Sequence, residues 1–225
     1  MKWRAAALAM AAVLAIGAPA RAGSLPIAQG GSMFNVSLRP LTEMRFENVV
    51  RQQYDLSCGA AAVATIFQHF YGVDVSEAEI IEALLETGDA EEISKRGFSM
   101  LEIKRYAESR GFVSEGFRIT DATKLREIKA PVLTLIDTRG YKHFVVLKKV
   151  YGNQVILADP AFGNTVKALD EFKTLWNNVI LVVLSPDLNG KDEFIEDYSV
   201  RARVDEITLL LQRGQQSITR GRGEF

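Results

Sequence analysis

Among 225 residues there is one cysteine, Cys58, and there are two histidines, His69 and His143. A lone cysteine excludes an internal disulfide, and with two distant histidines it gives none of the spacings that hold zinc, so no metal site is expected. Cationic excess is missing too: 27 Lys and Arg stand against 28 Asp and Glu. That leaves no basic face for nucleic acid or an anionic membrane surface. The glycines follow neither a GxGxxG nor a P-loop pattern, so no nucleotide cofactor is expected. No internal repeat occurs, and beyond the N-terminus no apolar run is long enough to cross a bilayer.

The N-terminal run has its own logic. Lys2 and Arg4 form a positive start, residues 5–16 are uninterruptedly apolar, and Ala20-Arg21-Ala22 is a small-x-small cleavage site. The run is shorter than the roughly 20 residues a spanning helix needs, and Gly17, Pro19 and Arg21 follow it directly. Residues 1–22 are therefore read as a signal peptide, with export to the periplasm, cleavage after Ala22 and no integral span in the mature chain. Losing Lys2, Arg4 and Arg21 makes that chain more acidic than the formal −1 of the whole. An unpaired thiol in an oxidising compartment invites a functional explanation, against the competing reading of a buried structural cysteine.

Beyond residue 22 the chain reads as α+β, helices first and mostly adjacent strands afterwards. Residues 23–43 are taken as a flexible segment and 44–50 as an extended approach to Cys58. A first helix is predicted over 58–70, a second from the capping box Ser76-Glu77-Ala78-Glu79 to about residue 85, and a third from Ser99-Met100-Leu101-Glu102 to Arg110. Residues 88–97 are read as a polar surface loop. Strands are predicted at 112–119, 131–137, 143–150, 154–158 and 179–184, with a short helix at 169–176. A C-terminal extension, 187–211, carries an amphipathic helix (Val200, Val204, Ile207, Leu211) that offers a docking face, and 212–225 reads as a disordered tail.

The chemistry-bearing residues lie where these elements begin and end. Cys58 opens the first helix, where the macrodipole and unpaired N–H groups favour a negative sulfur. His143 opens a strand, and Asp159 closes the next, in Ile156-Leu157-Ala158-Asp159-Pro160. Nucleophile, base and orienter are thus available. Each has a plainer reading: His143 as a core histidine, Asp159 as an Asp-Pro turn residue, Gln52 as a surface amide with Gln53 as its competitor. His69, inside the first helix, is expected to cap or pack.

The joint pattern Gln52-x5-Cys58-Gly59, then His143 opening His-Phe-Val-Val-Leu, then Asp159-Pro160 sixteen residues on, resembles the C39 peptidases, papain-like domains that process bacteriocin precursors. The resemblance runs over about 49–184, includes Gly97-Phe98-Ser99 and the 171–176 segment, and sets a peptidase domain at 44–186. It implies a papain-like fold with a helical half packed on an antiparallel sheet. It also implies Cys58 as nucleophile, His143 as base, Asp159 as orienter and Gln52 as an oxyanion-hole donor. The departures count as well: the bacteriocin processors are fused to an ABC exporter and cut after a double glycine, whereas this chain pairs a signal peptide with no exporter. It resembles stand-alone exported members, some encoded with secretion or functional-amyloid systems of biofilms, so double-glycine specificity is not carried over. Three activities fit: an exported cysteine endopeptidase acting on a polypeptide, an acyl transferase or amidase on the same residues, and a non-catalytic substrate-holding module. Retention of all four residues favours catalysis.

Overall fold

A computed structural model describes residues 24–29, 32–37, 40–138 and 140–196. The expected signal peptide, the amphipathic helix expected from Asp197 and the expected tail lie outside these residues. The chain divides into two units, the first ending at Met44 and the second beginning at Arg45.

In the first unit, β1 (Ser24–Gln29) and β2 (Ser32–Ser37) pair antiparallel, Ser24 opposite Ser37. This pairing falls within the segment read as flexible, where alternating apolar positions flank Gly30-Gly31 in the sequence. A short helix, α1 (Leu41–Arg45), replaces the start of the predicted extended approach.

The second unit opens with helices. α2 (Cys58–Thr65) is buried at every position and runs straight into a π-helical turn, Ile66–Tyr71, ended by Gly72 at φ 72°. A helix buried all round must be built of small residues to approach its neighbours, which explains Gly59 to Ala62. α3 (Glu77–Thr87) and α5 (Met100–Ser109) both begin with complete capping boxes, at Ser76/Glu79 and Ser99/Glu102. Between them lies a correction: the segment read as a loop contains α4 (Ala90–Arg96). Asp89 Oδ1 caps it by accepting from Glu91 and Glu92 N–H, and Glu91 and Glu92 then pair with Lys95 and Arg96. Charge density had obscured a helix that i,i+4 pairs support.

Six antiparallel strands complete the sheet: β3 (Val113–Arg118), β4 (Val132–Thr138), β5 (Tyr141–Tyr151), β6 (Gln154–Asp159), β7 (Gly163–Ala168) and β8 (Trp176–Leu184). Their order is β3-β8-β4-β5-β6-β7. Both faces are covered, which is why β5 reads as a continuous apolar run rather than an alternation. Leu133, Phe144, Val146, Leu181 and Val183 pack against α2, α3 and α5. Val132, Val145, Leu147, Leu157 and Ile180 pack on the opposite side against Phe172 of α6 (Leu169–Leu175), Trp176 and the 3-10 turn Ala122–Glu127. Each apolar side chain buried this way contributes roughly 1.5–3 kcal/mol. The described chain closes with α7 (Asp192–Glu196), whose Phe194 is buried in the first core. Among the described residues no helix is long and apolar enough to cross a membrane.

Candidate active site

The two cores bring the start of α2 against the start of β5. A Cβ on Gly59 would stand 2.9 Å from Ile103 Cδ1 and 3.2 Å from Phe144 Cδ2, so only glycine allows this approach. β5 therefore meets the sulfur with its backbone: Phe144 N–H donates to Cys58 Sγ at 3.5 Å. The N–H groups of the first helical turn add positive character on the other side.

One residue before Phe144, the side chain of His143 is buried on the same strand, and β6, hydrogen-bonded to β5, delivers Asp159 at its last position. His143 Nε2 and Asp159 Oδ1 are 2.7 Å apart, both groups about 4% exposed. The same Oδ1 accepts from Ala161 N–H at 2.8 Å and Phe162 N–H at 3.0 Å, so the carboxylate is locked by its own turn. Burial pulls the imidazole pKa down, but the Asp159 hydrogen bond and the nearby Cys58 sulfur outweigh it and push His143 from 6.5 up to about 9. With Nε2 committed to Asp159, the buried Nδ1 has no other hydrogen-bond partner and is the nitrogen left for the sulfur. Tyr141 stacks on the ring at 6.1 Å and Phe162 meets it edge-on at 6.5 Å.

Gln52 joins the site through its backbone. Its N–H donates to Pro160 O at 3.0 Å, directly after Asp159, and its half-buried side chain has a single long bond, Nε2 to Tyr54 O at 3.4 Å. Gln53 is exposed, and its N–H turns the other way to Glu77. A cavity of about 540 Å³ opens at the sulfur, lined by Leu56, Phe98, Met100, Tyr141 and Lys142 among others. His69 stands in the π-helical turn, stacked on Phe194 at 6.4 Å, and burial with Lys148 and Lys191 nearby lowers its pKa. It packs, and takes no part in the site.

Cys58, His143 and Asp159 are thus brought together, and Gln52 is tied beside them through its N–H on Pro160 O. Sequence reasoning missed Ser57, Glu77 and the Phe144 N–H. A serine directly before the nucleophile and a glutamate opening the next helix were visible signals; the backbone donor left none. Among the described residues no group of three or more His, Cys, Asp and Glu is placed to hold a metal ion.

A helical layer carrying a cysteine against a sheet carrying a histidine and an aspartate defines a papain-like cysteine peptidase. The model of the peptidase C39 family matches residues 47–187, and the chain belongs to that family. It is 38% identical over 183 residues, 80% of each chain, to "Probable functional amyloid protease FapD" of Pseudomonas aeruginosa. Among solved structures, it superposes on the peptidase domain of Streptococcus ComA, a bifunctional ABC transporter, with a TM-score of 0.53 at 22% identity. That match covers 61% of this chain and 97% of that one. A double-glycine-motif protease solved with its leader peptide gives a TM-score of 0.52 at 24% identity, covering 61% and 90%.

Proposed function

We propose that this cysteine peptidase is exported to the periplasm and cleaves a polypeptide component of a functional-amyloid system, with Cys58 as nucleophile, His143 as base, Asp159 as orienter and Gln52 as oxyanion donor. The observation that carries the reading is the 2.7 Å bond between Asp159 and His143 Nε2, which leaves Nδ1 for the sulfur that Phe144 N–H already contacts. The order of events derives from that bond. His143 holds the thiol proton, the sulfur attacks the scissile carbonyl carbon, and the charge moves to the carbonyl oxygen. Gln52 Nε2 and the Cys58 N–H then donate to that oxygen, each worth roughly 3–4 kcal/mol in such a site. The proton on Nδ1 passes to the departing amine, and water, activated by the same nitrogen, releases the acyl group.

The amyloid assignment is supported by the 38% identity to a relative of that name over most of both chains. Export is supported by the leader pattern of residues 1–22. The test is a comparison of exported proteins from cells carrying the wild-type chain and Cys58→Ala, read as N-termini. A new N-terminus in one exported polypeptide, lost in the variant, is expected, and the enzyme itself should begin at Gly23. Identical sets of N-termini would overturn the substrate reading, and a product beginning at Met1 the export reading.

A further inference from the structure

Two features of the loop from Gln52 to Ser57 break local rules, and a third, on α3, ties them together. Ser57 occupies the N-cap of α2 yet makes no side-chain cap bond to that helix. Serine is placed at N-caps because its oxygen accepts an N–H of the first turn. Here the buried hydroxyl turns away, to Glu77 Oε1 at 2.6 Å and Tyr54 O at 2.7 Å, so its single proton serves two acceptors. Leu56, one residue earlier, holds φ 65°, a conformation that costs a branched side chain roughly 1–3 kcal/mol and persists only when its surroundings impose it. Gly97 packs directly beneath it, where a Cβ would stand 2.9 Å from Leu56 O.

Glu77 itself is the third anomaly. Its carboxylate is 4% exposed, although glutamate is almost never fully buried without partners. The partners are Gln53 N–H, at 3.0 and 3.3 Å from its two oxygens, and the Ser57 hydroxyl. Both ends of the loop are therefore tied to one side chain on α3. Gln52 is consequently pinned through both neighbouring peptides, its own N–H on Pro160 O and the next N–H on Glu77. Cys58 comes directly after the residue whose hydroxyl Glu77 holds, and because Ser57 does not cap, its hydroxyl does not occupy the first-turn N–H groups of α2.

We propose that Glu77 is a positioning residue for the oxyanion site: it diverts Ser57 from capping and fixes the strained loop so that Gln52 Nε2 and the Cys58 N–H converge on one point. The proposal rests on the peptidase reading of the site. It acts on acyl transfer, where charge develops on oxygen, rather than on the nucleophilicity of sulfur.

Two small probes separate these effects without knowledge of the substrate. Iodoacetamide alkylates a thiolate by displacement and needs no oxyanion donor, whereas p-nitrophenyl acetate acylates it through a tetrahedral oxyanion. In the full chain, Glu77→Gln should lower the ratio of acylation to alkylation about tenfold or more, short of the roughly 10²–10³-fold of losing a donor outright. Ser57→Ala, which removes one bond and keeps the backbone, should lower it by a smaller factor and serves if Glu77→Gln fails to fold. In a Gln52→Ala background the Glu77 change should lose most of its effect. An unchanged ratio in Ser57→Ala and Glu77→Gln, or both rates falling together with the thermal midpoint, would overturn the proposal and leave Glu77 a structural residue. A wild-type chain acylated no faster than free cysteine would instead strike at the peptidase reading on which it rests.

Discussion

His143 and Asp159 are joined through a carboxylate oxygen that also closes the turn at Ala161 and Phe162. Asp159 therefore closes its turn and holds the imidazole with one oxygen, so the turn reading and the proposed orienter role of the Asp-Pro step are compatible. Asparagine at this position keeps an oxygen for the three donors but removes the charge. Asp159→Asn should thus fold, with a midpoint below that of wild type at neutral pH, and lose far less turnover than the roughly 10⁴-fold seen when a serine triad is left in the wrong tautomer. Its signature lies in pH. With His143 near 9, imidazolium is present to protonate the leaving amine up to about pH 9, and turnover should fall above it. Without the carboxylate charge, burial is opposed only by the Cys58 sulfur, and the limb should move down from about 9. Because the folded pKa is raised, the pair's stabilisation is full below about 6.5 and is lost as pH rises through about 9, so the wild-type midpoint should decline over that window and the variant's should not. An unshifted limb in Asp159→Asn would remove Asp159 from the mechanism.

Cys58 is 6% exposed, so its chemistry depends on what faces it rather than on open access. Iodoacetamide should label Cys58 faster than a free thiol near neutral pH, and His143→Ala should slow labelling and reduce turnover about 10²–10⁴-fold. Equal labelling of wild type and His143→Ala would show that the imidazole does not hold the thiol proton.

Legibility in the sequence tracked physical locality. Capping boxes at Ser76 and Ser99 need only four neighbouring residues, and both helices begin where they indicate. Cys58 and His143 announced themselves by rarity and, with Asp159, by position near element ends. The hairpin at 24–37 and α4 were missed because composition was read where periodicity and i,i+4 pairing decide. Glu77 was recognised only as part of a capping box, since its burial depends on a loop 20 residues away in sequence. The Phe144 N–H belongs to no side chain and had no sequence signal at all.

Neighbouring residues in extended backbone point to opposite sides, and here Gln52 is half-buried beside Pro160 while Gln53 is exposed. Gln52→Ala should lower turnover about 10²–10³-fold with KM and midpoint nearly unchanged. Gln53→Ala keeps the backbone N–H that Glu77 accepts and should stay within about threefold of wild type, as surface changes of about ±0.5 kcal/mol imply. A larger loss in Gln53→Ala, measured as kcat on the substrate identified from new N-termini, would place the other amide in the cleft.

The segment leading to Gln52 is seated on the turn that carries Asp159, and a glycine makes that possible. Gly163 has φ 78°, and a Cβ there would stand 2.3 Å from Arg45 O, a backbone atom that cannot swing away. Next to it, Asn164 Nδ2 donates to Arg45 O and Glu47 O, so the incoming chain is both closely packed and tied at one point. Gly163→Ala adds left-handed strain of about 1–2 kcal/mol and a backbone clash that must move residues 45–47. A midpoint lower by roughly 5–10 °C is expected for a chain of this size. Gly116→Ala on β3, whose nearest neighbour to the added carbon is Ile180 O at 4.0 Å, should be nearly neutral and serves as the control. Because the displaced segment runs on to the Gln52–Pro160 bond, Gly163→Ala should also lower kcat at temperatures well below its midpoint, and more than it raises KM. A destabilised but fully active Gly163→Ala enzyme would show that the turn secures the fold without setting the position of Gln52.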